Sequence, residues 1–500
     1  MGRRPKQSPP PNDPVLALPE PADANCEDAS VDLWAAKVLE DLRLPDARLR
    51  MRALECLALL ARKPTDSIPQ ACGSWAATKG LYRLLSNGSV RVEALRQAAC
   101  LSSVSRVAGR AVVLAPQDST SFSMSTAEAT KGLGLVGKGD SLGYHLHSML
   151  FLDTEGVAMG LAAQYTWVRE THLSLTPAQR KRMPIEDKES RKWFEMVAQV
   201  RAVMQGLLEE GQRPYLIHIF DREGDIHEIF ADLRCHGEGF VIRSTHDRAA
   251  RDLNGVAGRA RKFVGQRPVL GCHEILVPRK GKKPARNALL ELRSCPLRLA
   301  PRRRYAVETK YPKTPVDLTL VEAREVNCPD GEKALHWLLW TSEPASTLAE
   351  CVAVLKIYCT RWKIEDYHLT LKSGCHMEDL RLKTMAALEK ALVLYALVAV
   401  RIVRLRDLAR AIPEAPCTEV LNDLEWRVLE AHATHQVPTA RPPTIRQAVL
   451  WIGKLGGHLG RTGDGMPGVR VLWKGLRDLE LLVDQAQLFL KHPNLLTPSP

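Results

Sequence analysis

No C-x2-C pair occurs anywhere in the 500 residues, and the twelve cysteines stand singly with no regular spacing. That pattern fits neither a structural zinc site nor a disulfide-stapled secreted domain, which leaves reduced thiols as the reading. A long apolar run is also missing. The longest, "ALVLYALVAV" from Ala391 to Val400, is too short to span a bilayer and sits between charged segments. The first residues, "MGRRPKQSPPPNDPVLALPEP", are Pro-rich and polar, without the apolar core of a leader peptide. A cytoplasmic protein is expected, and no internal repeat is evident.

What the sequence has in excess is positive charge. The formal net charge is +13, which points toward a polyanion such as nucleic acid, although surplus lysine also serves solubility. Hydrophobic content of 45% and charged content of 25% are ordinary for a globular protein. Five hundred residues exceed what one core organises, so two to four domains are expected.

Residues 1–25 are dense in proline and read as a disordered tail. From 26 to 105 the apolar spacing is helical, in "WAAKVLEDLRL", "DARLRMRALECLALLARK", "SWAATKGLYRLLSN" and "VEALRQAACLSS". Arg48 and Arg52 lie one turn apart on the second of these, with Arg62 and Lys63 at its end. This basic edge could track phosphates or be a plain solvated surface.

Between 106 and 408 the pattern changes. "RAVVLAPQD" reads as a buried strand ending at Asp118, followed by a Ser/Thr/Gly-rich loop. "YHLHSMLFLD" and "VAMGLAAQYTW" flank the turn "DTEG" as an antiparallel hairpin. A long amphipathic helix follows, with Trp193, Val197, Val200, Met204 and Leu207 on one face. "PYLIHIFD" is a further buried strand, ending at Asp221. A right-handed crossover would lay that strand parallel to the first, so that the two carboxylates meet at one sheet edge. The strand order is that of the ribonuclease H-like fold. Glu223 and Asp225 in "DREGD" are rival ligands to Asp221, and Asp140 and Asp153 compete with Asp118. Residues from about 251 to 345 alternate short strands with the basic loops "RKGKKPAR", "PRRRY" and "KYPK", a β-rich insertion suited to a phosphate backbone. The block 409–500 is helical again, with apolar spacing suited to packing or dimerisation.

The stretch "YCTRWKIEDYHLTLKSG" carries the chemistry. At ~100° per residue, Tyr358, Arg361, Glu365, His368 and Lys372 form one polar stripe. Apolar residues, Trp362 among them, bracket it, while Lys363, Asp366 and Thr370 occupy the far face. A charged stripe on the side that should be buried needs a partner, a metal or a function. Asp118, Asp221 and Glu365 would supply convergent hard oxygen ligands for divalent cations. Two such ions roughly 3.5 to 4 Å apart can clamp both reacting oxygens of a phosphodiester displacement. Arg361, Lys372 and Tyr358 could then hold phosphates.

The spacing Y-x2-R-x3-E-x6-K, carried by Tyr358, Arg361, Glu365 and Lys372, resembles the signature of bacterial cut-and-paste DDE transposases of the insertion-sequence-four family. The likeness runs over nearly the whole chain from Trp34, through "QDSTSFS", "FDREGDIHEIFADL", "FVIRSTHDR" and "LHWLLWTSEP". It implies an α/β, ribonuclease H-like catalytic core with a β-rich insertion, an N-terminal helical DNA-binding domain and a C-terminal helical dimerisation domain. Asp118, Asp221 and Glu365 would be the catalytic metal-binding triad, loaded with Mg2+, for which Mn2+ can substitute. Tyr358, Arg361, Lys372 and Arg243 would contact DNA, Arg48 and Arg52 would serve end recognition, and Trp337 or Trp362 would stack a flipped base. The implied partners are double-stranded DNA, as transposon ends and as target, and a second copy of the chain in a synaptic complex, nucleoid-associated in the bacterial cytoplasm. One departure is Leu369, where a relative within the family has a second lysine.

Overall fold

The computed structural model describes residues 31–124, 129–137, 141–169, 176, 179, 183–277, 285–301, 310–312, 314–461, 464–492 and 495. The Pro-rich segment 1–25, Asp140 and most of the basic loops of the insertion lie outside the described residues.

Five helices come first: α1 (Val31–Val38), α2 (Ala47–Arg62), α3 (Ile68–Cys72), α4 (Trp75–Ser86) and α5 (Val92–Val107). Local chemistry fixes their ends. The Asp46 carboxylate accepts from the Arg48 N–H at the start of α2, and the Ser74 hydroxyl from the Ala77 N–H at the start of α4. Gly73, at φ 66°, ends α3 in the left-handed region.

The strands are β1 (Val112–Ser123), β2 (Gly134–Leu135), β3 (Leu142–Leu152), β4 (Ala158–Trp167), β5 (Tyr215–Phe220), β6 (Gly239–Arg243), β7 (Ala249–Arg251), β8 (Ala257–Arg259), β9 (Gly271–Val277), β10 (Arg286–Leu299), β11 (Val316–Val326) and β12 (His336–Thr341). They form one sheet in the order β2-β3-β1-β5-β6-β12-β11-β10-β7-β8, with β4 on β3 and β9 on β10. β1 and β5 are parallel, as are β5 and β6; the remaining pairs are antiparallel. The β-rich segment does not stand apart. β12 returns beside β6, pairing Leu339 with Arg243 and Thr341 with Val241, so the insertion prolongs the central sheet.

Helices α6 (Arg191–Leu207), α7 (His227–Cys235) and α8 (Ala260–Gly265) interleave with these strands; α9 (Leu348–Cys359), α10 (Trp362–Leu369) and α11 (Met385–Ala411) follow them. Both faces of the sheet are covered. Leu114, Ile217, Ile219, Val241 and Leu339 share a core with α9, α10 and α11. The alternate residues Val113, Ala115, Leu216, Phe220, Ile242 and Trp340 share another with α6 and α7. The two-residue period of a strand thus decides which helix layer each side chain meets. On α6 the expected face holds for Trp193, Val197, Val200 and Met204, but Leu207, its last residue, is exposed.

The run from Ala391 to Val400 is buried all round inside α11, which packs against α2, α4, α5, β4 and the C-terminal helices α13 (Ile445–Leu455) and α14 (Val469–Lys491), with α12 (Asp423–Thr434) packed on those two. Among the described residues no helix is long and apolar enough to cross a membrane. The basic edge of α2 divides. Arg62 pairs with Asp32 and Glu480, and Lys63 with Asp484, so this end faces α14 and not phosphates.

Burial pushes the Glu480 carboxyl up to about 7 from an ordinary 4.5, against the pull of Arg62. The folded chain therefore binds this proton more tightly than the unfolded chain. The stability so gained is complete below pH 4.5 and lost as pH rises through about 7. Glu480→Gln should remove this share of the pH slope, up to about 3 kcal/mol, in unfolding curves recorded from pH 4.5 to 8. A slope identical to that of the unsubstituted protein would refute it.

Candidate active site

Helix α9 opens with a capping box in which the Thr347 hydroxyl accepts from the Glu350 N–H and the Glu350 carboxylate from the Thr347 N–H. Its continuation departs from a uniform helix. Around Thr360 and Arg361 the bonds are three residues apart, Arg361 N–H to Tyr358 and Ile364 N–H to Arg361, both at 3.1 Å. After α10, residues Thr370–Gly374 widen into a π turn closed by the Cys375 N–H on the Thr370 carbonyl at 2.8 Å. Tightening and then widening change the rotation per residue, which is why a constant 100° misplaces some side chains. Trp362, expected in the buried flank, is 47% exposed. Lys363 and Asp366, expected on a free outer face, are tied to α11 instead.

The sheet supplies two carboxylates. Parallel pairing of β1 and β5 runs from Val112 opposite Tyr215 to Pro116 opposite Ile219. Two residues further along, the same offset sets Asp118 opposite Asp221. Both have the parity of Leu114 and Ile219, so both face the α9–α10 layer. Asp118 does not end its strand as expected. β1 continues to Ser123 because the Ser/Thr segment pairs with β3, where the Ser119 and Ser121 hydroxyls meet the Nδ1 atoms of His147 and His145 at 2.8 Å each.

Arg361 joins the sheet to the helix. Its Nη1 donates to Asp118 Oδ2 at 2.8 Å and its Nη2 to Glu365 Oε1. Asp118 also accepts from the Ser119 N–H, and Asp221 from the Glu223 N–H. Burial pushes the Asp118 carboxyl up to about 6. Arg361 opposes the rise, while Asp221 and Glu365 add to it. Burial likewise raises Asp221, against the Glu223 N–H. The structure therefore brings all three carboxylates into one electrostatic group.

The rival ligands among the described residues are otherwise engaged. Asp225 accepts from the Thr245 and His246 N–H groups and from Arg248, and Asp153 caps its hairpin through the Val157 N–H. Glu223 is exposed and pairs with the buried Lys192 at 3.4 Å.

Around the carboxylates, Tyr358 is buried with Trp337 edge-on at 5.6 Å between ring centroids, and Arg361 and Arg243 both act on its hydroxyl. Trp337 is 7% exposed, whereas Trp362 carries the Arg361 guanidinium 5.5 Å from its ring centroid. Lys372 lies over the Phe122 ring, its pKa pushed down by burial against the pull of Glu378. Leu369 packs against the core. Arg48 is almost fully exposed and Arg52 pairs with Glu55; no contact among the described residues joins either to the carboxylates.

Two groups received no role from the sequence. His368 is buried, its pKa pushed down by burial to about 3, leaving a neutral ring one turn beyond Glu365. Behind α10, Lys363 pairs with Asp407 while Arg406 binds both Asp407 and Asp366. Charges set inside the apolar α11 segment "RIVRLRDLAR" were the available signal.

Three family models match this chain: transposase DNA-binding over 31–90, transposase DDE domain over 200–401 and transposase Tn5 dimerisation domain over 397–492. The chain carries the domains of a Tn5-type transposase. Its architecture is that of a three-domain transposase around a mixed α/β sheet, and the DDE domain marks a DNA-cleaving enzyme. DDE transposases normally use a divalent metal. The donor set fits one, being all oxygen and part-buried, with Asp118 pushed up to about 6 by burial and further by the neighbouring Asp221 and Glu365. Among the described residues no three such side chains stand close enough to hold an ion as they are, and the Arg361 guanidinium is what lies between Asp118 and Glu365.

Asp407 is 1% exposed at its side chain. Asp407→Ala would leave Lys363 and Arg406 without their shared acceptor, at a cost of about 3–5 kcal/mol in urea unfolding. A loss below about 1 kcal/mol would mean that the network behaves as a surface ion pair.

Proposed function

We propose that this transposase moves a mobile element by cut-and-paste transposition, binding its inverted terminal repeats and cutting and rejoining DNA by phosphoryl transfer. Within the insertion-sequence-four family, the reading places it near the transposase of the composite kanamycin-resistance transposon. The convergence of Asp118, Asp221 and Glu365 around Arg361 carries the proposal. A ribonuclease H-like core is supported by the hairpin-then-parallel order β4-β3-β1-β5-β6. Asp118 lies before the matched DDE segment, so its role rests on register and electrostatics.

Asp118, Asp221 and Glu365 would hold Mg2+, or Mn2+ in its place, which when bound would supply charge stabilisation to the attacking and leaving oxygens. Arg361, Lys372, Arg243 and Tyr358 hold the phosphates of the terminal nucleotides in line with those carboxylates. A water nicks the end, and the freed 3′ hydroxyl attacks the opposite strand to close a hairpin. The hairpin reopens before the 3′ end joins target DNA. Base stacking at the hairpin is worth ~1 to 3 kcal/mol, and of the two candidates Trp362 is the one open to solvent, Trp337 being enclosed by Tyr358. Arg48, with Arg52, serves end recognition in the helices spanning 26–105. The block 409–500 pairs two copies in a synaptic complex at the nucleoid.

A catalytically weak DNA-binding dimer that regulates transposition is the second reading. Leu369 favours it, because an apolar side chain packed on the core stands where a relative within the family has a second lysine for a phosphate contact.

Glu365→Ala should lower metal-dependent cleavage of a terminal-repeat duplex by at least about a hundredfold, since several kcal/mol of charge stabilisation is lost. Gel-shift binding of the same duplex should persist. Cleavage at the original rate would remove Glu365 from the triad.

A further inference from the structure

Arg361 is 7% exposed and gives one nitrogen to Asp118 and another to Glu365. A guanidinium keeps its charge when buried and presents donors in a rigid fork. It is thus a built-in counter-cation, set on the same oxygens that a divalent ion would use. One observation shows that its present partners do not complete it. Arg361 Nε is buried and has no hydrogen-bond acceptor among the described residues. A buried charged donor left unmade is costly, and a phosphate oxygen is the acceptor a guanidinium edge best accommodates. The face that could admit one is flanked by Trp362, which is half open to solvent.

We propose that Arg361 exchanges partners, and that this exchange makes DNA binding and divalent-metal binding cooperative. A DNA phosphate takes the Nε edge and draws the guanidinium off Asp118 and Glu365. The freed oxygens, no longer neutralised, then accept the cation. Because the coupling is a free energy between two ligands, it is reciprocal: metal strengthens DNA binding by the factor with which DNA strengthens metal binding. The exchange rests on the triad reading above, and its test separates the two.

Mn2+ binding to the full chain would be measured by electron paramagnetic resonance, with and without saturating terminal-repeat duplex. The same duplex mixed with Asp118→Asn protein corrects for ions held by DNA. Wild type should gain about tenfold in Mn2+ affinity when duplex is added, within the usual range of such couplings. Arg361→Gln should bind Mn2+ about tenfold more tightly without DNA and gain nothing from the duplex. If Arg361 only contributed charge, its removal would tighten Mn2+ binding yet leave the DNA effect intact, and that outcome overturns the exchange. Arg361→Lys keeps the charge but cannot bridge two carboxylates, so it should also lose the DNA effect, and it serves if the glutamine variant does not fold. Equal Mn2+ binding by Asp118→Asn and wild type would instead overturn the triad.

Discussion

Three carboxylates crowded on one partly buried surface repel one another, and this constraint organises the rest of the site. Asp118 records it directly in a carboxyl held near 6 by burial and by Asp221 and Glu365. Arg361 offsets the repulsion by bonding Asp118 and Glu365 together. The arginine must enter from the helix layer while two acids come from the sheet, which requires β1 and β5 to be adjacent, parallel and in register. A one-residue slip of either strand would send its carboxylate to the α6–α7 side and dissolve the group.

Helix α10 is only eight residues long, too short to be stable by itself. Its position comes from what it touches. Toward the sheet it buries Ile364, Tyr367 and His368. Toward α11 it offers Lys363 and Asp366 to Asp407 and Arg406. Glu365 lies between these anchors, next in sequence to Asp366, so its carboxylate inherits their placement. Ion pairs confer little net stability when buried, but their geometry is exacting, and an exacting geometry suits a helix that must present one carboxylate at one point.

Much of this arrangement was legible in the sequence. The helical N-terminal segments, the hairpin around Asp153, the long helix after it and the strand before Asp221 all follow from apolar period and turn chemistry, which are local signals. The inward polar stripe of Tyr358, Arg361 and Glu365 was legible for the same reason. Trp362 was misplaced because rotation per residue was held constant across a junction whose tightening is set by tertiary contacts. β1 was cut short at Asp118 because Ser and Thr suggest a loop, and only the presence of His145 and His147 across the ladder makes them strand residues. Arg62 and Lys63 looked free because their partners are distant in sequence, Asp32 on another helix and Glu480 and Asp484 more than 400 residues away.

Such long-range pairs also explain how the matched domains are held in one frame. The DDE match ends at 401 and the dimerisation match begins at 397, so the boundary between them falls inside α11. That helix is continuous for 27 residues and packs against the N-terminal helices as well. Arg406 and Asp407 near its end grip α10, while Arg401 lines a cavity together with Arg62, Glu425 and Glu480. Sliding α11 along its axis would break the buried charge pairs with α10, and an uncompensated buried charge is far costlier than a shifted apolar contact. The register of α11 is therefore fixed more sharply than its apolar surface alone would fix it. The helices of the matched DNA-binding segment and the three carboxylates are consequently referred to the same helix.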